Sequence, residues 1–228
     1  MRIRFLFLLS IVICLLANQT LAANTLEESQ LAKLDLVAKK LDLKPGMKVL
    51  DIGCGRGEWI ELMQESGYQA TGVDLNAVMV NQAKEKQLNV ECVDVLQYLK
   101  HLPDNALSAV TGIHIIEHLE FTYLIQLLQE VYRVLKKGGG VILETPNPEN
   151  IFVGAQFFYT DPTHKNPIVP DTMEFLLSYL GYGNTEIKRL HSYAEASKAQ
   201  GKPRDMSDSF KNHHFYGPMD FAVIAHKE

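Results

Sequence analysis

Three aspartates each sit at or near the end of a short apolar run. Asp51 lies within Val49-Leu-Asp-Ile-Gly-Cys-Gly-Arg-Gly57, Asp74 follows Gln69-Ala-Thr-Gly-Val73, and Asp94 follows Asn89-Val-Glu-Cys-Val93. The first run passes straight into Gly53, Cys54 and Gly55. Glycines there permit a tight turn and the close approach of a ligand to backbone, and a helix that follows presents unsatisfied N–H groups to a carboxylate or phosphate. The pattern is GxGxG rather than GxGxxG. Asp51 beside it would repel a pyrophosphate but suits a ligand carrying an ammonium group. No Walker A lysine follows, which disfavours a nucleoside triphosphate. Asp74, about 20 residues beyond the glycines, is placed to accept from both hydroxyls of a ribose. Asp94 is placed to accept from the exocyclic amine of an adenine.

A second constellation is His114-Ile-Ile-Glu-His118. The spacing matches the HxxEH pattern of one zinc peptidase class. That chemistry needs both histidines on one helix face, whereas Val110-Thr-Gly-Ile-His114 continues a strand and the next helix starts near Phe121. The glycine loop would also have no role in a peptidase. Read instead as groups just past a strand end, His114 or His118 is a candidate general base near neutral pH. Glu117 or His118 is a candidate to orient an acceptor. The plainer reading of Glu117 and His118 is a hydrogen-bonded helix start.

Elements must bring these groups together. Leu26 to Leu43 has helical spacing and stops at Pro45-Gly46. Strands are expected at Lys48–Ile52, Gln69–Val73, Asn89–Val93, Ala106–Ile113 and from Val141. Helices are expected at Glu58–Glu65, Ala77–Lys86, Val95–Lys100 and Phe121–Lys137, the last ended by Gly138-Gly-Gly140. Such alternation means βαβ units, an α/β doubly wound, Rossmann-like sheet with helices on both faces. The three acids then share the carboxyl edge of one sheet at its switch point. Asn147 to Pro170, rich in Pro, Asn, Tyr, Phe and His, reads as a long loop after the fifth strand, and loops over a rigid sheet are where specificity usually lives. A helix over Asp171–Leu180, a strand over Thr185–Leu190, a polar mobile stretch over His191–Asp208 and a last strand over Phe221–Ala225 complete the pattern.

VLDIGCGRG at 49–57, TGVDL at 71–75, VECVDV at 90–95, AVTGIHIIEHL at 109–119 and RVLKKGGGVILETP at 133–146 together resemble the class I S-adenosylmethionine-dependent methyltransferases over residues 26 to about 146. The resemblance implies S-adenosylmethionine as cofactor and a seven-stranded sheet whose last strand is antiparallel. It implies Gly53, Cys54 and Gly55 around the methionine part, Asp51 near its amino group, Asp74 with Leu75 at the ribose, and Asp94 with Val95 at the adenine. Cys54 is then a small loop residue and not a nucleophile. His114, Glu117 and His118 would lie beside the sulfonium and the acceptor. Related O-methyltransferases with an acidic version of this segment suggest a divalent ion there, although no metal is assigned. The segment from Glu144 through Pro167, with GIHIIEH, looks like the methyltransferase part of O-antigen chain-terminating enzymes and relatives acting on bacterial surface glycans. That likeness implies an oxygen acceptor, a sugar hydroxyl or a phosphate, bound by Asn147, Glu149, Tyr159, Asp161 and His164 in an acceptor-covering loop over 145–170. A quinone-like or lipid acceptor, or a non-catalytic module that has kept the fold, are the competing readings.

The composition agrees with one globular domain over residues 24–228. Of 228 residues, 46% are hydrophobic, and 22 Lys and Arg against 27 Asp and Glu give a net charge of −5. That balance offers no basic footprint for nucleic acid. Three cysteines are too few for a disulfide scaffold. Residues 1–23 depart from the average: Met1-Arg-Ile-Arg4, an apolar run from Phe5 to Ala17, and small residues at Leu21-Ala-Ala23 form the parts of a secretory signal or an uncleaved anchor. This is the one segment through which the chain could meet a membrane. It conflicts with a cofactor made in the cytosol, so localisation stays open at this stage.

Overall fold

A computed structural model describes residues 26–192 and 206–228. The leader-like segment and the middle of the stretch read as mobile lie outside the described residues. Among these residues no helix is long and apolar enough to cross a membrane.

In chain order the elements are α1 (Leu26–Lys40), β1 (Lys48–Ile52), α2 (Glu58–Glu65), β2 (Gln69–Asp74), α3 (Ala77–Glu85), β3 (Val90–Cys92), α4 (Val95–His101) and β4 (Leu107–Ile113). A 3-10 turn over Ile116–His118 precedes α5 (Phe121–Val134) and β5 (Leu135–Pro146). There follow α6 (Ile151–Ala155), a 3-10 turn over Phe157–Thr160, α7 (Pro170–Tyr179), β6 (Tyr182–Ser192), α8 (Met206–His214) and β7 (Pro218–Lys227). The seven strands form one sheet in the order β3-β2-β1-β4-β5-β7-β6. β1 to β5 pair in parallel, and β7 runs antiparallel between β5 and β6. The doubly wound sheet expected from the alternating pattern is observed, with the seven strands and antiparallel last strand that the resemblance implies.

Side-chain alternation along the strands divides the core between the two faces of the sheet. Val49 of β1 joins Leu34 and Val37 of α1, Trp59, Ile60 and Met63 of α2, and Val80 of α3. Leu50 and Ile52 face the other way, onto Leu96 and Leu99 of α4 and Leu124, Leu127, Leu128 and Val131 of α5. β1 lies between β2 and β4, so the strand order reverses there and the crevice opens at the carboxyl ends.

Several boundaries differ from the sequence reading. The helix expected to reach Lys137 ends at Val134, because Leu135 turns extended, is fully buried and pairs with Leu107. The glycine triplet belongs to β5: a Cβ on Gly139 would meet the Ser108 carbonyl oxygen at 2.8 Å, so the strands approach too closely there for a side chain. Asp171 is not the cap of α7; Val169 holds the N-cap position and Pro170 starts the helix, where a missing N–H costs nothing. The loop over 147–169 contains α6 and a 3-10 turn rather than irregular chain alone. Its Asn150 is buried and caps α6 by accepting from the Phe152 and Val153 N–H groups, while its Nδ2 donates to the Gly217 carbonyl. His191, assigned to the mobile stretch, is instead a buried residue of β6.

Candidate active site

The chain leaves β1 through Gly53, Gly55 and Gly57, which have φ values of 70°, 55° and 78°. These lie in the left-handed region that favours glycine. Space is limiting as well: a Cβ on Gly53 would meet the Ile115 side chain at 3.0 Å. The Gly53 and Cys54 N–H groups both donate to the Val73 carbonyl, at 2.8 and 3.1 Å, which stitches the loop to the end of β2. Cys54 is packed against Gly72, and burial with the nearby Asp51 and Asp74 charges pushes its thiol up to about 12. Its thiol is thus held protonated and packed against the strand.

Asp74 accepts from the Gly55 N–H at 2.9 Å on Oδ2 and from the Asn76 N–H at 2.7 Å on Oδ1. Both oxygens are thereby fixed in orientation, and each keeps a lone pair for a further donor. Asp51 is almost fully buried and accepts from the Thr111 hydroxyl at 2.7 Å; Thr111 in turn accepts from the Trp59 indole N–H at 3.3 Å. Burial pushes the Asp51 carboxyl up to about 7, against the lowering pull of Thr111 and Lys33. A cationic group placed beside it would draw the carboxyl into its ionised form. Asp94 caps α4 by accepting from the Gln97 N–H at 3.0 Å, and its other oxygen accepts from the Tyr123 hydroxyl at 2.6 Å. Leu75 is 71% exposed beside Asp74, and Val95 is half-buried beside Asp94. The structure therefore brings the expected cofactor set to one sheet edge. Buried carboxylate, oriented carboxylate and glycine cradle fit the ammonium, diol and close backbone approach of S-adenosylmethionine. Thr111, Trp59 and Tyr123 were not singled out from the sequence; a threonine inside the apolar run of β4 was the available signal.

The second half of the site is a buried polar cluster. His114 has φ of 53°, unusual for a residue with a side chain. Its Nδ1 faces Glu117 Oε1 at 3.2 Å, and its Nε2 lies 3.8 Å from Glu144 and 4.0 Å from Asp220. Burial alone would lower its pKa, but the Glu117 bond and the Asp220, Glu117 and Glu144 charges outweigh it and raise the ring to about 9. The role of general base, which needs a neutral imidazole, does not fit a ring ringed by three carboxylates. Glu117 is fully buried and also accepts from the Thr145 hydroxyl at 3.0 Å. The bond to His114 holds its carboxyl below the usual range against the upward push of burial. Glu144 pairs with Lys33 at 3.2 Å, and Asp220 pairs with His191 at 2.6 Å. Glu144, Asp220, His191 and Lys33 were not expected at the site. A glutamate inside the buried run VILETP was a readable sign for Glu144, but the other three come from distant elements.

Of the five residues expected to hold an acceptor, two are occupied otherwise. Asn147 is buried: its Nδ2 donates to the Pro218 carbonyl and its Oδ1 accepts from the Glu149 N–H, so it clamps the loop to β7. Glu149 forms a two-pronged ion pair with Arg189 of β6 at 2.7 and 2.9 Å. Asp161, through Thr163, and His164 lie beside His118, while Tyr159 (63% exposed) packs its ring on Phe158, which also touches His164. Asp161 accepts from the Thr163 N–H and hydroxyl at 2.8 and 2.6 Å.

The geometry agrees with what the chain is similar to. The family model of the methyltransferase domain matches residues 25–187. A solved S-adenosylmethionine-dependent methyltransferase from Archaeoglobus fulgidus is 35% identical, superposes with a TM-score of 0.77, and aligns over 86% of this chain and 92% of that one. The cyclopropane-fatty-acyl-phospholipid synthase of Escherichia coli K12 is 34% identical over 125 residues, covering 54% of this chain and 32% of that protein. The demethylmenaquinone methyltransferase of Staphylococcus aureus is 37% identical over 122 residues, covering 49% and 48%. The chain spans between 22% and 55% of the length of the curated relatives it matches. With its glycine cradle, its acids at successive strand ends and this match over most of its length, the chain belongs to the S-adenosylmethionine-dependent methyltransferases.

Proposed function

We propose that this chain transfers a methyl group to an oxygen of a polar, sugar-containing acceptor. The observation that carries the reading is the make-up of the loop beside the cluster: an exposed Tyr159 ring for stacking, followed in the chain by Asp161, Thr163 and His164, hydrogen-bonding groups that meet His118. When bound, S-adenosylmethionine would supply a sulfonium-activated methyl carbon: as the acceptor oxygen bonds to it the C–S bond breaks, the sulfur keeps that electron pair as a neutral thioether, and the proton of a hydroxyl acceptor passes to solvent. Asp51 would hold the ammonium group, Asp74 with Leu75 the ribose, and Asp94 with Val95 the adenine edge. Tyr123 fixes Asp94 for that contact. His114, tied to Glu117 and close to Glu144 and Asp220, positions the ends of β4, β5 and β7 rather than moving a proton. The loop is clipped to the 3-10 turn by the Lys165 N–H, which donates to the Glu117 carbonyl. Holding both reactants in line is the main contribution expected of the protein, since well-oriented pairs gain several kcal/mol of barrier on the order of ~7–11.

A second reading has its own observation. Pro148, Ile151, Gly154, Ala155, Pro167 and Val169 line an apolar groove on the same loop, with Ile151 and Val169 exposed at its rim. Such a groove suits a lipid or quinone tail, the acceptor classes named for two of the relatives. Radiolabelled methyl transfer to oligosaccharides with free hydroxyls, run beside phospholipid vesicles and a short-chain quinol, separates the two. Alkali-stable label on the sugar supports the glycan acceptor. Label confined to the lipid or quinol fraction overturns it. Calorimetry with S-adenosylmethionine tests the shared premise, and absence of binding would sink both.

A further inference from the structure

We propose that Glu117, His118 and His164 form a binding site for one divalent transition-metal ion of the zinc class, bridging the 3-10 turn after β4 and the loop above it. One ligand atom from each of these residues lies within 4.8 Å of the other two. A tetrahedral ion with bonds of about 2.1 Å brings its ligands to roughly 3.4 Å apart, so closure needs side-chain shifts of about an ångström.

The hydrogen bonds around the two histidines set the tautomer that a metal needs. His164 Nδ1 lies 2.7 Å from the Phe158 carbonyl, which can only accept, so Nδ1 carries the proton and Nε2 keeps its lone pair. Thr163 has one hydroxyl proton to give, and the Asp161 carboxylate at 2.6 Å takes it in preference to the His118 ring at 3.0 Å. The Thr163 oxygen therefore accepts from His118 Nδ1–H, which again leaves Nε2 free. A metal-bound histidine commonly donates its other N–H to a carbonyl or to a carboxylate-linked group, and both rings here do so before any ion arrives. The two rings stand edge to face with centroids 4.7 Å apart. Glu117 is held in turn by Thr145 and His114, and a carboxylate with two such bonds has lone pairs to spare.

Two imidazoles and a carboxylate suit zinc and its neighbours rather than magnesium or calcium, which prefer oxygen alone. Three protein ligands leave a further position for water or for an acceptor oxygen. The backbone already supports the bridge: the Lys165 N–H donates to the Glu117 carbonyl at 2.8 Å, and Asn166 Nδ2 to the Leu119 carbonyl at 2.9 Å. An ion would lock the loop bearing Tyr159 to the floor of the site. The proposal concerns binding and stands whether or not the acceptor is a sugar.

The test is titration of the chelator-treated full chain with zinc alone by calorimetry, and with cobalt by visible absorption. One ion per chain is expected, with cobalt bands in the visible range. His118→Gln and His164→Gln should each weaken zinc binding by at least about thirtyfold, since loss of even an outer-shell partner costs about 10–100-fold, while His213→Gln on α8 should leave it unchanged. No stoichiometric binding by the unsubstituted chain overturns the proposal, and so does binding that His213→Gln lowers as much as His164→Gln. Should either loop variant fail to fold, the cobalt spectrum and stoichiometry of the unsubstituted chain decide, and the absence of bands counts against the site.

Discussion

The carboxyl ends of β1, β2 and β3 and those of β4 and β5 carry the two halves of one crevice, yet they are built differently. On the first side nearby backbone does much of the holding: Asp74 accepts from the Gly55 and Asn76 N–H groups and Asp94 from Gln97 of its own helix, with Thr111 on Asp51 and Tyr123 on Asp94 as the long-range additions. On the second side, apart from the His114–Glu117 bond, the charged groups find their partners on remote elements. Glu144 meets Lys33 of α1, His114 faces Asp220 of β7, and Glu149 meets Arg189 of β6. A binding edge made of local backbone contacts can stay the same while the far side is rewired by substitutions anywhere in the chain. The edge that carries Asp74 and the glycines is thus set mostly by local contacts, and the far side of the crevice mostly by tertiary ones.

The largest expected effect tests the tertiary half. Glu117→Ala leaves the buried His114 and Thr145 without their shared partner and should lower unfolding free energy by about 3 kcal/mol or more, read by urea denaturation. A loss below about 1 kcal/mol would mean that the cluster is not the clamp described. Next, Asp74→Ala should weaken S-adenosylmethionine binding by roughly a hundredfold, since charge-assisted bonds contribute about 1.5–3 kcal/mol each, with little change in melting temperature. A variant that binds normally would remove Asp74 from the cofactor edge.

The third prediction uses pH to sharpen the same contrast. Asp51 holds its proton up to about pH 7 in the folded chain. An ammonium ligand needs the ionised form, so the association constant measured by calorimetry should climb by up to about tenfold per pH unit below 7 and level off above it. Asp51→Asn should bind more weakly and lose this slope. The stability contribution has the opposite trend: a carboxyl whose folded pKa is raised favours folding at low pH, and that contribution is lost as pH rises from about 4 to about 7. A stability profile of the ligand-free protein that rises over this window on account of Asp51 would contradict its burial. The smallest effect belongs to Glu149. Glu149→Gln removes a partly exposed ion pair with Arg189, worth at most about 1 kcal/mol, and should leave acceptor KM within about twofold. A tenfold rise in KM would return Glu149 to the acceptor surface.

The same division decided what could be read from residue order. β1 to β4, the glycine cradle and the acids at 51, 74 and 94 follow from apolar runs, breakers and short spacings, and their positions hold. Asn147 and Glu149 were misread because their partners, the Pro218 carbonyl and Arg189, lie far along the chain, and nothing local distinguishes a loop polar group that clamps from one that waits for a ligand. His191 was misread for the same reason: a polar neighbourhood suggested motion, while a single contact with Asp220 buries it. The glycine triplet at 138–140 looked like a helix stop and is a strand, because tight pairing with β4, invisible in composition, excludes side chains there.

The place of β7 has a consequence for synthesis. It leaves the ribosome after both β5 and β6, yet it sits between them and carries Asp220 and the Pro218 carbonyl that anchors Asn147. A nascent chain can therefore finish the cofactor-binding edge early, whereas β6 waits unpaired and the loop stays unanchored until β7 emerges. A stop before β7 would leave a chain with the glycine cradle, an unanchored loop and exposed edges on β5 and β6, a form prone to sticking to its neighbours.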